Sequence, residues 1–339
     1  MNKTYGVVLV GCGLMGAAHL DEIYYRENIK VRGVVDIDPD RARAFSRKYC
    51  AETWNTDYTC YLDDTEADIF IIATYPSTHL DILKACLAHG KHVLCEKPIA
   101  TNAQDAESFV RLVKENKSKV LVGHILRHNK TYNLVADMLH QGAVGSPMVI
   151  RMVQNHHTMN WDRYKRLIAE SSPIIDCGVH YIDIMEWFTR STITAVSGIG
   201  CRTESDLPED AYNYGMISMR FEDGSAAYYE AGWGNTIASG NLKEFIGPKG
   251  RIKITYKMNR DTNQEEGDLV EYYSYPEGEY RIINVDSDRK PTWVQLQHLI
   301  KMIEENVEAI PDIDEVYRAY TIVAAADESI KTGKVIKLG

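Results

Sequence analysis

Residues 7–36 read VVLVGCGLMGAAHLDEIYYRENIKVRGVVD, and this stretch decides the fold. An apolar run from Val7 to Val10 leads into Gly11-Cys12-Gly13-Leu14-Met15-Gly16. A helix-like segment follows, then a second apolar run from Val31 to Val35 closed by Asp36. Strand, glycine turn, helix and strand in this order form a dinucleotide-binding unit. Gly11 permits the tight turn out of the first strand. Gly13 removes the Cβ that would hold the backbone away from a pyrophosphate, and Gly16 lets helix and strand pack closely. The phosphates would rest on amides at the start of the helix, at Leu14 and Met15.

Asp36 bears on the choice of nicotinamide cofactor. A carboxylate at the end of the second strand accepts hydrogen bonds from the adenosine ribose hydroxyls and repels the additional phosphate of NADP. Ile37, Asp38 and Pro39 follow, so no basic side chain stands immediately beside it. Arg41 and Arg43 come later, on the expected next helix, and have the charge to meet a phosphate. The pattern favours NAD over NADP.

The 339 residues exceed one average domain, so two are expected. No apolar run approaches the length of a membrane span, and the N-terminal residues lack the apolar core of a leader, so a cytoplasmic protein is expected. Seven cysteines without CxxC spacing suit a reducing compartment better than a disulfide framework. The net charge of −10, with no basic cluster, argues against a nucleic-acid partner.

Apolar runs and helix-like segments alternate as far as Val120 to Gly123, which implies a doubly wound parallel sheet, a Rossmann-type domain over residues 1–124. From residue 125 to 339 the pattern changes. β-rich segments recur at 147–154, 193–201, 214–221, 225–233, 242–246, 251–255 and 271–275, separated by turn residues that suggest antiparallel neighbours. Helix-like stretches are expected at 131–140, 173–188, 293–307 and 314–332. The second domain therefore reads as α+β, built on a large, mostly antiparallel open sheet. Met216, Ile217 and Met219 place apolar residues on both of its faces, which points to burial in a homodimer or homotetramer.

Ligands of open α/β sheets bind at the carboxyl ends of the strands. Glu96-Lys97-Pro98 follows directly on the expected strand 92–95, where a lysine can donate to a substrate oxygen or take part in proton transfer. The second motif is Asp176-Cys177-Gly178-Val179-His180-Tyr181-Ile182-Asp183. On one continuous helix Asp176, His180, Asp183 and Trp187 share a face. An imidazole one turn from a carboxylate suits general-base work. The same pair can instead ligate a metal or be purely structural. The stretch Asn155-His156-His157-Thr158-Met159-Asn160-Trp161-Asp162-Arg163 leaves an expected strand and is dense in groups that bind hydroxyls. Asn155, His157, Trp161 and Arg163 are its substrate-binding candidates, with Trp161 suited to stacking on a sugar ring. Tyr132 and Tyr228 are weaker ones.

GCGLMG with Asp36, then ATYPSTH over 73–79, AHGKHVLCEKP over 88–98 and DCGVHYID over 176–183 resemble the glucose-fructose oxidoreductase, inositol dehydrogenase and rhizopine-catabolism (Gfo/Idh/MocA) family across nearly the whole chain. LKEFIGPKGRIK, residues 242–253, is similar to that family's sheet-domain signature. The resemblance implies Lys97 and His180 as a catalytic pair, with Asp176 orienting or binding substrate. Thr74, Pro76, His79, Glu96 and Lys97 would line the nicotinamide half of the cofactor site. Arg127 matches a family arginine after the last Rossmann strand, whereas His124 and His128 depart from the pattern there. The activity implied is an NAD-dependent dehydrogenase acting on a secondary alcohol of a sugar, glycoside or cyclic polyol such as an inositol, without a metal. Two alternatives stay open: an enzyme that keeps NAD bound and oxidises its substrate only transiently, for elimination or glycoside cleavage, and an NAD-binding sensor.

Overall fold

The computed structural model describes residues 3–158, 160–257 and 267–339, which divide into two compact units. Met159, within the candidate loop, lies outside the described residues. The first unit comprises Met1–Ile125 and Lys290–Tyr317, the second Leu126–Arg289 and Arg318–Gly339.

In the first unit β1 (Tyr5–Val10), α1 (Leu14–Ile23), β2 (Ile29–Val35), α2 (Pro39–Lys48) and β3 (Thr53–Asn55) are followed by β4 (Ile69–Ile72), α3 (His79–Ala88), β5 (His92–Cys95), α4 (Ala103–Glu115) and β6 (Val120–Val122). The strands pair in the order β3-β2-β1-β4-β5-β6, all parallel. That order reverses between β1 and β4, the place where such sheets take their ligands. β1 and β4 are buried throughout, as strands covered on both faces must be.

The second unit continues with α5 (Lys130–His140), β7 (Val149–His157), α6 (Trp161–Glu170), α7 (Pro173–Asp176), α8 (Gly178–Thr189), β8 (Ile193–Cys201), β9 (Tyr214–Phe221), β10 (Ala226–Gly234), β11 (Gly240–Gly247), β12 (Gly250–Thr255), β13 (Asp268–Ser274) and β14 (Tyr280–Val285). Helix α9 (Thr292–Glu305) belongs to the first unit, while α10 (Ile313–Thr332) leads to β15 (Ile336–Lys337). Nine strands form one sheet in the order β14-β13-β12-β11-β7-β10-β9-β8-β15, antiparallel except that β10 runs parallel to β7. The sheet is therefore mostly antiparallel, as read from sequence.

Residues at alternate positions of these strands, Ile150, Met152, Ile217, Met219, Tyr229, Phe245, Ile252 and Ile254, form one core with Ile174 of α7 and Ile182 and Met185 of α8. The intervening positions form the opposite face, where Val149, Ile199 and Met216 stand exposed.

Three local differences from the sequence reading have physical causes. Residues 173–188 form α7 and α8, which meet at Cys177: the backbone stays in the right-handed helical region there, and the His180 amide bonds the Cys177 carbonyl three residues back. Residues 161–170, given no helix in the sequence reading, form α6: Asn160 caps it by accepting from the Arg163 amide at 3.2 Å, and Trp161, Tyr164, Leu167 and Ile168 recur at helical spacing. Residues 292–305, expected in the second domain, pack with the first: Leu296 and Leu299 join the core of Leu9 and Leu20, and the Thr292 hydroxyl donates to the Ala18 carbonyl at 3.0 Å.

Candidate active site

In the first unit the glycine turn has the geometry its residues demand. Gly11 adopts φ +101°, and a Cβ there would lie 2.5 Å from the Ala73 carbonyl oxygen. A Cβ on Gly16 would come within 2.1 Å of the Gly11 oxygen, so helix and turn touch backbone to backbone. Gly13 differs: a Cβ there would meet no protein atom within 4 Å. Its bareness serves no packing in the chain and leaves a cradle for a ligand that approaches the backbone. No side chain caps α1 at Gly13, so the amides of its first turn remain open to an anion.

Asp36 is buried and fixed. One carboxylate oxygen accepts from the Cys12 amide at 2.9 Å and the other from the Asp38 amide at 3.0 Å. Lone pairs remain on both for a diol. Arg41 lies 3.7 Å from Asp36, while Arg43 lies 5.1 Å over the Trp54 ring and pairs with Asp40. These residues fit an adenine dinucleotide: Gly11, Gly13, Leu14, Met15 and Gly16 for the pyrophosphate, Asp36 for the ribose. Burial and the Asp36 charge push the Cys12 thiol up to about 12, which leaves it protonated and inert.

The nicotinamide-side candidates gather at the carboxyl ends of β4 and β5. Pro76 is buried, and His79 is fully buried with Nδ1 3.0 Å from the Pro98 carbonyl oxygen and Nε2 3.2 Å from that of Thr74. Burial holds the His79 pKa below the usual imidazole range, against the two carbonyl contacts, which raise it. Glu96 is also buried, 2.8 Å from His19 Nε2. Burial alone would raise its pKa. The hydrogen bond to His19 and the positive charge of Lys97 outweigh it and hold the carboxylate below its ordinary range. His19 is not legible as a partner; its signal is only a histidine on the buried face of α1, three residues after Gly16. Lys97 follows Glu96 and is half-buried.

In the second unit, Ser172 caps α7 by accepting from the Ile175 amide, and Asp176 ends that short helix. His180 lies in the first turn of α8, four residues after Asp176 across the Cys177 junction. Cys177 Sγ donates to Asp176 Oδ2 at 3.7 Å. The turn can sit low on the sheet because Gly178 faces the Tyr229 ring, 3.2 Å from where a Cβ would be. Asp176 and His180 are both half-buried, available to solvent and to a substrate.

The remaining candidates are distributed differently from the sequence reading. Arg127 is committed to a buried bidentate pair, with Nε 2.9 Å and Nη2 2.8 Å from the two oxygens of Asp183, and its guanidinium lies 4.7 Å over the Trp187 ring. Asn155 and His157 point to the sheet face opposite the helices. There Asn155 donates to Glu230, and His157 is exposed. Trp161 donates its indole N–H to Asp206 at 3.0 Å, and Arg163 lies 5.7 Å over the Tyr164 ring. Tyr132 is buried against Tyr256, and Tyr228 belongs to the open face with Arg151.

The face under α7 and α8 carries residues that were not singled out. Gln154 Nε2 is 3.2 Å from His156 Nε2, and Tyr164 Oη is 3.5 Å from His156 Nδ1. Asn241 stands opposite Gln154 in the β11–β7 register. Strand alternation, which puts residue 156 rather than 157 on the inward face once Met152 is recognised as core, was the signal that could have found them. Among the described residues no group of three or more His, Cys, Asp or Glu side chains is placed to hold a metal, and all seven cysteines are free.

Comparison with known proteins agrees with this arrangement. Residues 5–124 match the model of the Gfo/Idh/MocA oxidoreductase family's NAD-binding Rossmann fold, and residues 132–253 match a Gfo/Idh/MocA C-terminal domain. Inositol 2-dehydrogenase 2 of Saccharopolyspora erythraea is 26% identical over 74% of this chain and 73% of its own length. The same fold is seen in myo-inositol 2-dehydrogenase of Lactobacillus plantarum (TM-score 0.82, 17% identity, 99% of this chain and 100% of that one). It is seen as well in aldose-aldose oxidoreductase of Caulobacter crescentus in complex with glycerol (TM-score 0.84, 19% identity, 99% and 100%). With both family domains matched in order, and a dinucleotide cradle and an Asp-Cys-Gly-x-His turn in place, the chain belongs to the Gfo/Idh/MocA family of NAD(P)-binding oxidoreductases.

Proposed function

We propose that the protein is a dehydrogenase that interconverts a secondary alcohol of a cyclic polyol or sugar and the corresponding ketone, with NAD as cofactor. The observation that carries this reading is the half-buried Asp176–His180 turn, in a unit whose inward sheet face carries the hydrogen-bonding side chains Gln154, His156 and Asn241, with Tyr164 of α6 beside His156. Such a surface suits a ligand that presents several hydroxyls at once. The relatives named as inositol 2-dehydrogenases support the same substrate class. Nicotinamide, when bound, supplies the acceptor or donor of hydride. His180 takes the hydroxyl proton, Lys97 donates to the substrate oxygen, and Asp176 orients His180 or a neighbouring hydroxyl. A panel of inositols, sugars and glycosides assayed for NADH formation tests the reading. Turnover without added NAD and without net NADH would replace it with transient oxidation, and binding of NADH without turnover of any polyol would leave a sensor.

NAD is favoured over NADP because Asp36 is held in place by two amides and cannot swing away from a 2′-phosphate. Asp36→Ser is expected to narrow the preference by about tenfold, equivalent to about 1.4 kcal/mol. Fluorescence titration with NADH and NADPH measures it, and equal affinities in the unmodified protein would refute the assignment. Arg41, already beside Asp36, is the group that would then meet the phosphate.

The open sheet face is the proposed homo-oligomer interface. Val149, Met216 and Ile199 are 48%, 37% and 65% exposed there. Apolar residues spread across one uncovered face suit burial against another copy. Light scattering at micromolar concentration is expected to give a dimeric or tetrameric mass, and a monomeric mass counts against this interface. Among the described residues no helix is long and apolar enough to cross a membrane. The free thiols support the proposed cytoplasmic setting.

A further inference from the structure

The sheet of the second unit encloses a lysine. Lys243 lies on β11 with no exposed surface, and among the described residues it forms no ion pair with a carboxylate. Its Nζ donates to the Val153 carbonyl at 2.8 Å and to Asn241 Oδ1 at 2.6 Å, and sits 4.3 Å from the centre of the Tyr181 ring. Enclosing an ammonium without a counter-ion is strongly unfavourable. Burial accordingly drives the amine well below its usual lysine range. A methionine would fill the same space without that cost. What a hydrocarbon cannot copy is the set of contacts, and these join three separate elements.

The Val153 carbonyl belongs to β7, one residue before Gln154. Asn241 is on β11, opposite Gln154. Tyr181 is on α8 and follows His180, and its ring also stacks on Tyr229 at 5.1 Å and 26°. Tyr229 in turn faces Gly178. The first turn of α8 thus rests on Tyr229 and on the Lys243 amine, which also grips the strands carrying the polar face.

We propose that Lys243 is a positioning residue, fixing the first turn of α8 against β7 and β11 so that His180, the residue before Tyr181, is held in a single arrangement. The kinetic arm of the test rests on the polyol dehydrogenase reading; the spectroscopic arm does not. Lys243→Met keeps the length and packing of the stem and removes the donors. With myo-inositol as probe, kcat is expected to fall about tenfold to a hundredfold, the scale of a small misplacement of a reacting group. NADH affinity and the melting temperature should be retained, or the latter raised. The ring-proton NMR signal of His180, identified by its absence in His180→Asn, should move in the variant. An unmoved signal with unchanged kcat overturns the proposal, as does a lowered melting temperature with normal kcat, which would make Lys243 purely structural. If the unmodified protein does not oxidise myo-inositol, the polyol reading loses that substrate and the His180 signal alone decides. Should Lys243→Met fail to fold, Asn241→Ala removes one acceptor without opening the core. It is expected to move the His180 signal in the same way, and an unmoved signal there also overturns the proposal.

Discussion

Replacing His180 with asparagine is expected to lower polyol oxidation by about a hundredfold or more, the usual scale for loss of a positioned general base. NAD affinity should stay nearly unchanged, because the glycine turn and Asp36 belong to the other unit. In the unmodified enzyme the rate should rise with pH as the imidazole loses its proton, since only the neutral ring accepts one. The variant should lose that limb of the profile. Lys97→Ala should also lower turnover strongly. If the two groups act as one unit, the double variant will be little worse than either single one. EDTA should have no effect. Loss of activity to the chelator, restored by a divalent metal, would transfer Asp176 and His180 to a metal-site role and overturn this assignment.

How far these roles could be read before the structure depended on the kind of signal. Gly11, Gly13, Gly16 and Asp36 were legible because each answers a backbone constraint that no other residue type meets as well, and the constraint repeats wherever the unit occurs. Glu96-Lys97 was legible from its place at a strand's carboxyl end. Asp176 and His180 stand at a spacing that sequence displays, whereas the seating of Gly178 on Tyr229 beside them is a contact 51 positions away in sequence. Asn155 and His157 are candidates by their chemistry, whereas register decides which side of a strand a residue occupies, and it puts Gln154 and His156 on the side of the core residue Met152. Lys243 offered no warning: in sequence it is one of many lysines, and only the packing of Tyr181 and Tyr256 makes it buried.

Arg127 shows the same limit and gives the largest expected effect on stability. Its sequence context suggested a substrate ligand, yet both its Nε and Nη2 are held by Asp183, with side-chain exposures of 5% and 1% for the pair. The pair ties the turn after β6 to the middle of α8. Asn129, two residues on, caps α5 by accepting from the Thr131 amide at 2.9 Å, so the first residues of the second unit form one hydrogen-bonded assembly. A buried pair of this kind contributes little compared with apolar residues of the same volume, but breaking it takes from the guanidinium the carboxylate that accepts two of its hydrogen bonds. Asp183→Asn, which preserves shape and removes only the charge, is therefore expected to cost about 3–5 kcal/mol in chemical denaturation followed by circular dichroism. Arg127→Met combined with Asp183→Leu should recover much of that loss, because no isolated charge remains. If Asp183→Asn loses less than about 1 kcal/mol, the range of an exposed pair, the guanidinium is satisfied from elsewhere. Arg127 would then return to the substrate-binding role its position in the sequence first suggested, and KM for the polyol, not the denaturation midpoint, would be the quantity its removal changes.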